Sequence, residues 1–133
     1  MQVIIILAVS LHVLAAVMWM GSTANLARTG AVGAEVVFSR QMMGVAVVVL
    51  TGGFLWSQLH SGGFGTYERV LAVGVVCAIL ALTVQVAMVG MNLGRLKTDA
   101  TGAVRRRMAV GHRVAAGLLS VTLVAMVVAR YIS

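Results

Sequence analysis

Acidic side chains are nearly missing from this chain. Its 133 residues carry three, Glu35, Glu68 and Asp99, against ten lysines and arginines. All three fall between the apolar runs. No paired carboxylates, HExxH helix or Ser/His/Asp set can therefore be assembled inside those runs, which excludes hydrolytic chemistry there. A proton path through the apolar part would likewise lack a carboxylate relay. The single cysteine, Cys77, rules out an internal disulfide and any cysteine-built zinc or iron–sulfur site; it reads as a small buried hydrophobe. Proline is absent, and transport that depends on broken helices finds no support. Charge as a whole is scarce, 10% of residues, where a soluble domain carries about 25%.

What is present is apolar: 61% hydrophobic residues and a mean hydropathy of +1.05. Such a chain cannot cover a soluble surface, and the expected class is an all-α, integral membrane four-helix bundle. Its length allows about four spans of roughly 20 residues with short connections and no separate soluble domain. Four apolar runs emerge, at about 3–26, 41–60, 69–93 and 108–131. The first lacks a basic leader and is too long for a signal-peptide core, so it reads as a span. The "AEVVF" part of the first connection reads as a short interfacial turn, and the glycine-rich "HSGGFGTYER" as a tight one.

The net charge of +7 sits in the connections, so it points to topology and not to a nucleic-acid ligand. Arg28 and Arg40 flank the first connection, and Arg95, Lys97, Arg105, Arg106 and Arg107 occupy the third. The second has only Arg69, opposed by Glu68. The positive-inside rule puts connections one and three in the cytoplasm and both termini outside. Arg130 is a minor dissent, and Arg113 can snorkel to the inner headgroups. The expected location is a bacterial inner (cytoplasmic) membrane. Small-xxx-small pairs at Gly74/Ala78 and Gly90/Gly94 allow close helix approach, within the bundle, to a membrane-protein partner, or in a homo-oligomer.

Ionisable groups inside a bilayer are costly and mark function by default. His12 lies about 13 Å below the outer face at the rise of an α-helix. His60 falls at the outer rim, and His112 about one turn inside the inner rim. Helix rise places Thr51, Gly52, Cys77, Ala78 and Ser120 to Thr122 at the depth of His12. The pair Gly52–Gly53 would let a flat ligand approach the backbone there. A plain packing role is the alternative, with His12 bonded to a carbonyl, Ser120 or Thr122. His12 and His112 differ by roughly 10 Å in depth across a hydrocarbon layer of about 30 Å, which argues against both ligating one haem. A haem held by one histidine, or by one with a different second ligand, is compatible. Met18, Met20, Met42, Met43, Met88, Met91 and Met108 fall in the inner half near His112. Thioether and imidazole together suit Cu(I), and gap-filling is the plainer role for methionine. Arg105 to Arg107, with His112, Arg113 and Arg40, suit a carboxylate or phosphate, or serve only as the topology signal. Trp19 and Trp56 read as packing or interfacial aromatics.

The segment "LHVLAAVMWMGS", with Leu11, His12, Trp19 and Gly21, resembles the first helix of the CopD-like superfamily of four-helix membrane proteins. That group includes the HemJ-type protoporphyrinogen oxidases. Arg40 at the start of helix two and Gly52 or Gly53 before its end extend the likeness. The lysine that HemJ-type proteins carry within helix three has no counterpart between Arg69 and Arg95. The resemblance implies haem b with His12 as axial ligand, or a role in copper handling. Three functions stay open. One is a haem b protein of this kind, transferring electrons or oxidising a porphyrin or quinol, with His12, Trp19, Arg40, Gly52, Gly53, His112 and Arg113 about the cofactor. The second is a copper-handling protein using His112, Met20, Met43 and Met88. The third is a cofactor-free accessory subunit of a larger membrane complex.

Overall fold

A chain that meets hydrocarbon must satisfy its backbone N–H and C=O groups within itself, and an apolar run does so as a helix. The computed structural model describes residues 1–60 and 62–132. It contains α1 (Gln2–Arg28), α2 (Ala34–Leu59), α3 (Thr66–Met88), a 3-10 segment (Gly90–Thr98) and α4 (Ala103–Ile132). No strand occurs among the described residues. All four α-helices are long and apolar enough to cross a membrane.

Three boundaries differ by five residues or more from the expected spans; one is the start of α4 at Ala103, not near 108, which puts Arg105 to Arg107 in its first turns. α2 starts at Ala34 and takes in "AEVVF" as helix, because Gly33 (φ +83°) turns the chain directly into it. α3 ends at Met88, where Asn92 Nδ2 donates to the carbonyls of Met88 (3.0 Å) and Ala87 (3.3 Å). Those are two of the carbonyls that a helix end leaves without partners, and the chain continues as the 3-10 turn.

The helices pack in the order α2, α1, α4, α3, with α3 and α4 the most intimate pair. Small residues explain that intimacy. Gly74 and Gly111 lie against α4 and α3 respectively: a Cβ on Gly74 would come within 3.2 Å of Ala125 Cβ, and one on Gly111 within 2.8 Å of Met88 Cβ. Thr122 Oγ1 donates to the Gly74 carbonyl at 2.9 Å, a side-chain bond that the close approach permits. Gly90 is also covered within the chain, by the Phe38 ring. Of the four small positions expected to allow close approach, within the bundle or to a partner, Gly74, Ala78 and Gly90 pack inside the chain, while Gly94 has no atom near its missing side chain. α2 and α3 make almost no backbone contact, so the fourth edge of the bundle is open.

The start of α1 and the end of α4 lie at one end with the end of α2 and the start of α3, and the first and third connections meet at the other. There Arg105 donates from Nη1 to the Ala31 carbonyl (2.7 Å) and pairs with Glu35 at 3.4 Å. Asp99 accepts the Arg105 backbone N–H at 3.2 Å, within the first turn of α4. Ala31 is itself fully buried in a left-handed conformation (φ +65°), in a cluster with Leu26, Ala34, Val89 and Met108.

Gly74→Leu forces a side chain into the α3–α4 contact and is expected to destabilise the bundle by about 1–3 kcal/mol. Gly117→Leu, at a site with nothing within 4 Å, should leave stability unchanged. Equilibrium unfolding in mixed micelles measures the difference.

Candidate functional site

The open edge between α2 and α3 leads into a cavity of about 480 Å³. Small-molecule sites occupy roughly 300–1,000 Å³, so this volume suffices for a cofactor. Its walls are Val48, Val49 and Leu55 of α2 and Leu71, Val75 and Ile79 of α3. His12 and Trp19 reach it from α1, Met126 from α4, and Trp56, His60 and Tyr67 stand at the end near the termini. Val49, Leu59, Val75 and Ile79 are each 40% to 60% exposed, so the space is reached sideways, between α2 and α3.

His12 is the deep polar group of this cavity, and its hydrogen bond decides its chemistry. Its Nδ1 lies 2.9 Å from Thr51 Oγ1. The Thr51 hydroxyl donates its own hydrogen to the Val47 carbonyl at 2.6 Å. The threonine oxygen is left to accept, so His12 carries its proton on Nδ1 and keeps the lone pair on Nε2. An imidazole whose one nitrogen is held by an oxygen acceptor presents the other as a metal ligand or hydrogen-bond acceptor.

The depth argument placed Thr51 and Gly52 beside His12, and both are there. The partner is Thr51; Ser120 and Thr122 bond to the Ala116 and Gly74 carbonyls instead. The two glycines serve different ends. Gly52 lies against the imidazole itself, where a Cβ would come within 3.1 Å of Cε1. Gly53 has nothing within 4 Å and leaves the α2 backbone bare toward the cavity.

His112 belongs elsewhere. It is fully buried in a polar network that crosses the bundle. Trp19 Nε1 donates to Gln85 Oε1 at 2.6 Å, which fixes the orientation of the carboxamide. Gln85 Nε2 then donates to Thr23 Oγ1 at 2.9 Å, and lies 3.5 Å from His112 Nδ1. Thr23 Oγ1 donates to the Trp19 carbonyl at 2.7 Å, and Gln41 Nε2 donates to Ser22 Oγ (3.0 Å) and Thr23 Oγ1 (3.3 Å). An amide N–H can only donate, so His112 accepts at Nδ1 and bears its proton on Nε2. That Nε2 and Gln41 Oε1 are buried without a partner among the described residues. Trp19 and Gln85 thus stand between the cavity and His112.

The remaining sequence candidates separate. Arg40 is exposed on α2, toward the charged end. Arg113 is exposed, and its Nε donates to the Ala27 carbonyl at 3.4 Å. Neither lines the cavity. Of the methionines, Met43 is 69% exposed, Met88 packs on Gly111 and Met20 joins the Trp19 cluster. With Met43 facing outward and His112 fully enclosed, the proposed copper set has no common centre. No three His, Cys, Asp or Glu side chains converge on a metal-ion site among the described residues.

Sequence reasoning missed Gln41, Gln85 and Thr23. The signal was available: a carboxamide in "LALTVQVAM" is as costly to bury in hydrocarbon as the histidine that drew attention. Met126 and Tyr67 were also missed, and His60 and Trp56 were placed without a shared cavity, because nothing in the pattern says which helix edge stays open. Comparison with known proteins finds no matching family, curated protein or solved structure.

Gln85→Leu strips partners from the Trp19 N–H and from His112 at once. The expected cost is about 1–3 kcal/mol, against less than about 0.5 kcal/mol for Ser10→Ala, an exposed change. Unfolding of both variants in one micelle composition checks this.

Proposed function

We propose that the chain is an integral membrane haem b protein that passes electrons, with its cofactor in the α2–α3 cleft and His12 as iron ligand. One observation carries this: Thr51, by donating to Val47 at 2.6 Å while standing 2.9 Å from His12 Nδ1, leaves the Nε2 lone pair available inside an apolar cavity. The residues present fit a flat, metal-centred group. The walls are aliphatic, Gly53 bares the backbone, and the volume suits a ligand of that size.

When bound, haem supplies one-electron chemistry at iron, tuned by its axial ligand and by burial. The protein's own part is to hold and orient. Thr51 fixes the imidazole's tautomer and direction, and Gly52 gives the ring room beside α2. The aliphatic walls would keep water from Nε2 of His12. Trp19 forms the inner floor and is itself held by Gln85. The CopD-like resemblance at Leu11, His12, Trp19 and Gly21 points the same way. The copper alternative draws no support from the dispersed methionines. The accessory-subunit alternative loses part of its footing because Gly74 and Gly90 pack within the chain.

The charged end, with Arg28, Arg95, Lys97 and Arg105 to Arg107, is assigned to the cytoplasm by the positive-inside rule. Both termini and the cleft mouth then face outward, in a bacterial cytoplasmic membrane.

Protein purified with haem available should show a Soret band that His12→Ala abolishes. Thr51→Val, which removes the acceptor that orients His12, should weaken haem binding about 10- to 100-fold, while Thr51→Ser retains it. A protein with no Soret band, or a band indifferent to His12→Ala, overturns the proposal. Single cysteines introduced at Gly94 and Gly63, in a Cys77→Ala background, report orientation: only the Gly63 site should react with an impermeant maleimide added outside.

A further inference from the structure

A second histidine faces the same cavity. His60 follows the last residue of α2 and stacks with two aromatic rings, Trp56 at 4.5 Å between centroids and Tyr67 at 5.3 Å, with interplanar angles of 21° and 14°. Tyr67 lies in the first turn of α3. The stack therefore bridges α2 and α3 at the mouth of an edge that is otherwise open. Phe64 stands beside it, 6.5 Å from Trp56.

The hydrogen bonding of His60 parallels that of His12. Its Nδ1 lies 3.3 Å from the Trp56 carbonyl. A carbonyl can only accept, so the proton is on Nδ1 and Nε2 carries the lone pair. That Nε2 is buried and has no partner among the described residues, although the residue lines the cavity. A buried polar atom without a partner is costly, and here rings on both sides hold it in place. No hydrogen bond to protein engages the Trp56 indole N–H or the Tyr67 hydroxyl in the described residues either. One stack of rings at the mouth thus carries an acceptor and two donors, while the lining below it is aliphatic apart from His12 and Trp19.

An acceptor with donors beside it complements a carboxyl group, whose oxygens accept from the two donors and whose O–H, when protonated, donates to Nε2. We infer that His60, with Trp56 and Tyr67, is a recognition site for a carboxyl group carried on the rim of a flat apolar ligand in the cleft. It rests on the cleft being the ligand site proposed above, but not on iron coordination. His60 follows Gly52, the neighbour of His12, by eight positions, about 12 Å of helix rise. One ligand can then be held at two points: at its centre by His12 in mid-membrane, and at its acidic edge by His60 at the surface. A carboxyl there stays near water and headgroups, which favours that orientation over the inverse one.

Metal-free protoporphyrin IX and its dimethyl ester separate the two contacts, because neither offers iron to His12. In nanodiscs, followed by porphyrin fluorescence, the wild-type protein should bind the diacid at least tenfold more tightly than the diester. His60→Phe, which keeps a ring in the stack, should abolish that preference, and His12→Ala should retain it. A readout independent of any variant is the ¹⁵N resonance of His60 Nε2, expected to shift with the diacid and not with the diester. Equal binding of the two porphyrins, binding of neither, or a preference that survives His60→Phe without a shift at Nε2 would overturn the inference. A Soret band that depends on His12 would still stand in that case, so the two failures are distinguishable.

Discussion

The Gln85 carboxamide is the contact on which the arrangement of this bundle turns. α1 and α3 are not packed neighbours, yet Gln85 reaches from α3 to the Trp19 indole and the Thr23 hydroxyl of α1. It also lies against His112 of α4. In hydrocarbon, where lipid competes equally for apolar surface, such hydrogen bonds and close packing of small residues are what distinguish one helix arrangement from another. A carboxamide with both ends engaged sets the rotation of three helices at once. Gln41 ties α2 into the same network through Ser22 and Thr23.

With the diagonal held from within and α3 drawn tightly onto α4 by Gly74 and Gly111, the helices do not close evenly. The slack falls between α2 and α3, and the cleft is the result. An apolar space in a membrane protein carries no information about its ligand unless polar atoms are placed in it. Here two imidazoles face it, each with a proton committed to Nδ1 by a nearby acceptor. The inner end of the cleft stops at Trp19, whose N–H is already engaged by Gln85. The same indole therefore serves as the keystone of the polar network and as the floor of the cavity.

The opposite end is held by different physics. Arg105 joins the first and third connections by reaching the Ala31 carbonyl and Glu35, with Phe38 seated on Gly90 beneath them. A surface ion pair contributes little alone. The carbonyl contact to a buried residue, at 2.7 Å, is the firmer link. The same basic end sutures the loops, and Arg28, Arg106 and Arg107 stay exposed there.

Four helices, their antiparallel order and the concentration of charge at one end were legible from the sequence. Hydropathy acts along a single chain segment and needs no knowledge of its neighbours. Depth was legible for the same reason, since helix rise is constant, and it correctly brought Thr51 and Gly52 to His12. Rotation was not legible. With nearly every residue apolar, no face of α1 is marked as inward, and only pairing across helices separates His12 at a cavity from His112 inside the core. The tautomers of both depend on side chains far along the chain, Thr51 at 39 positions from His12 and Gln85 at 27 from His112. The open edge depends on where small residues on one pair of helices permit a closer approach than on the other. The amino-acid order thus determined which segments are apolar and long enough to cross a membrane and how far along each a residue lies; only tertiary packing decided which side chains meet, because in lipid the inside of a bundle is defined by contact and not by hydrophobicity.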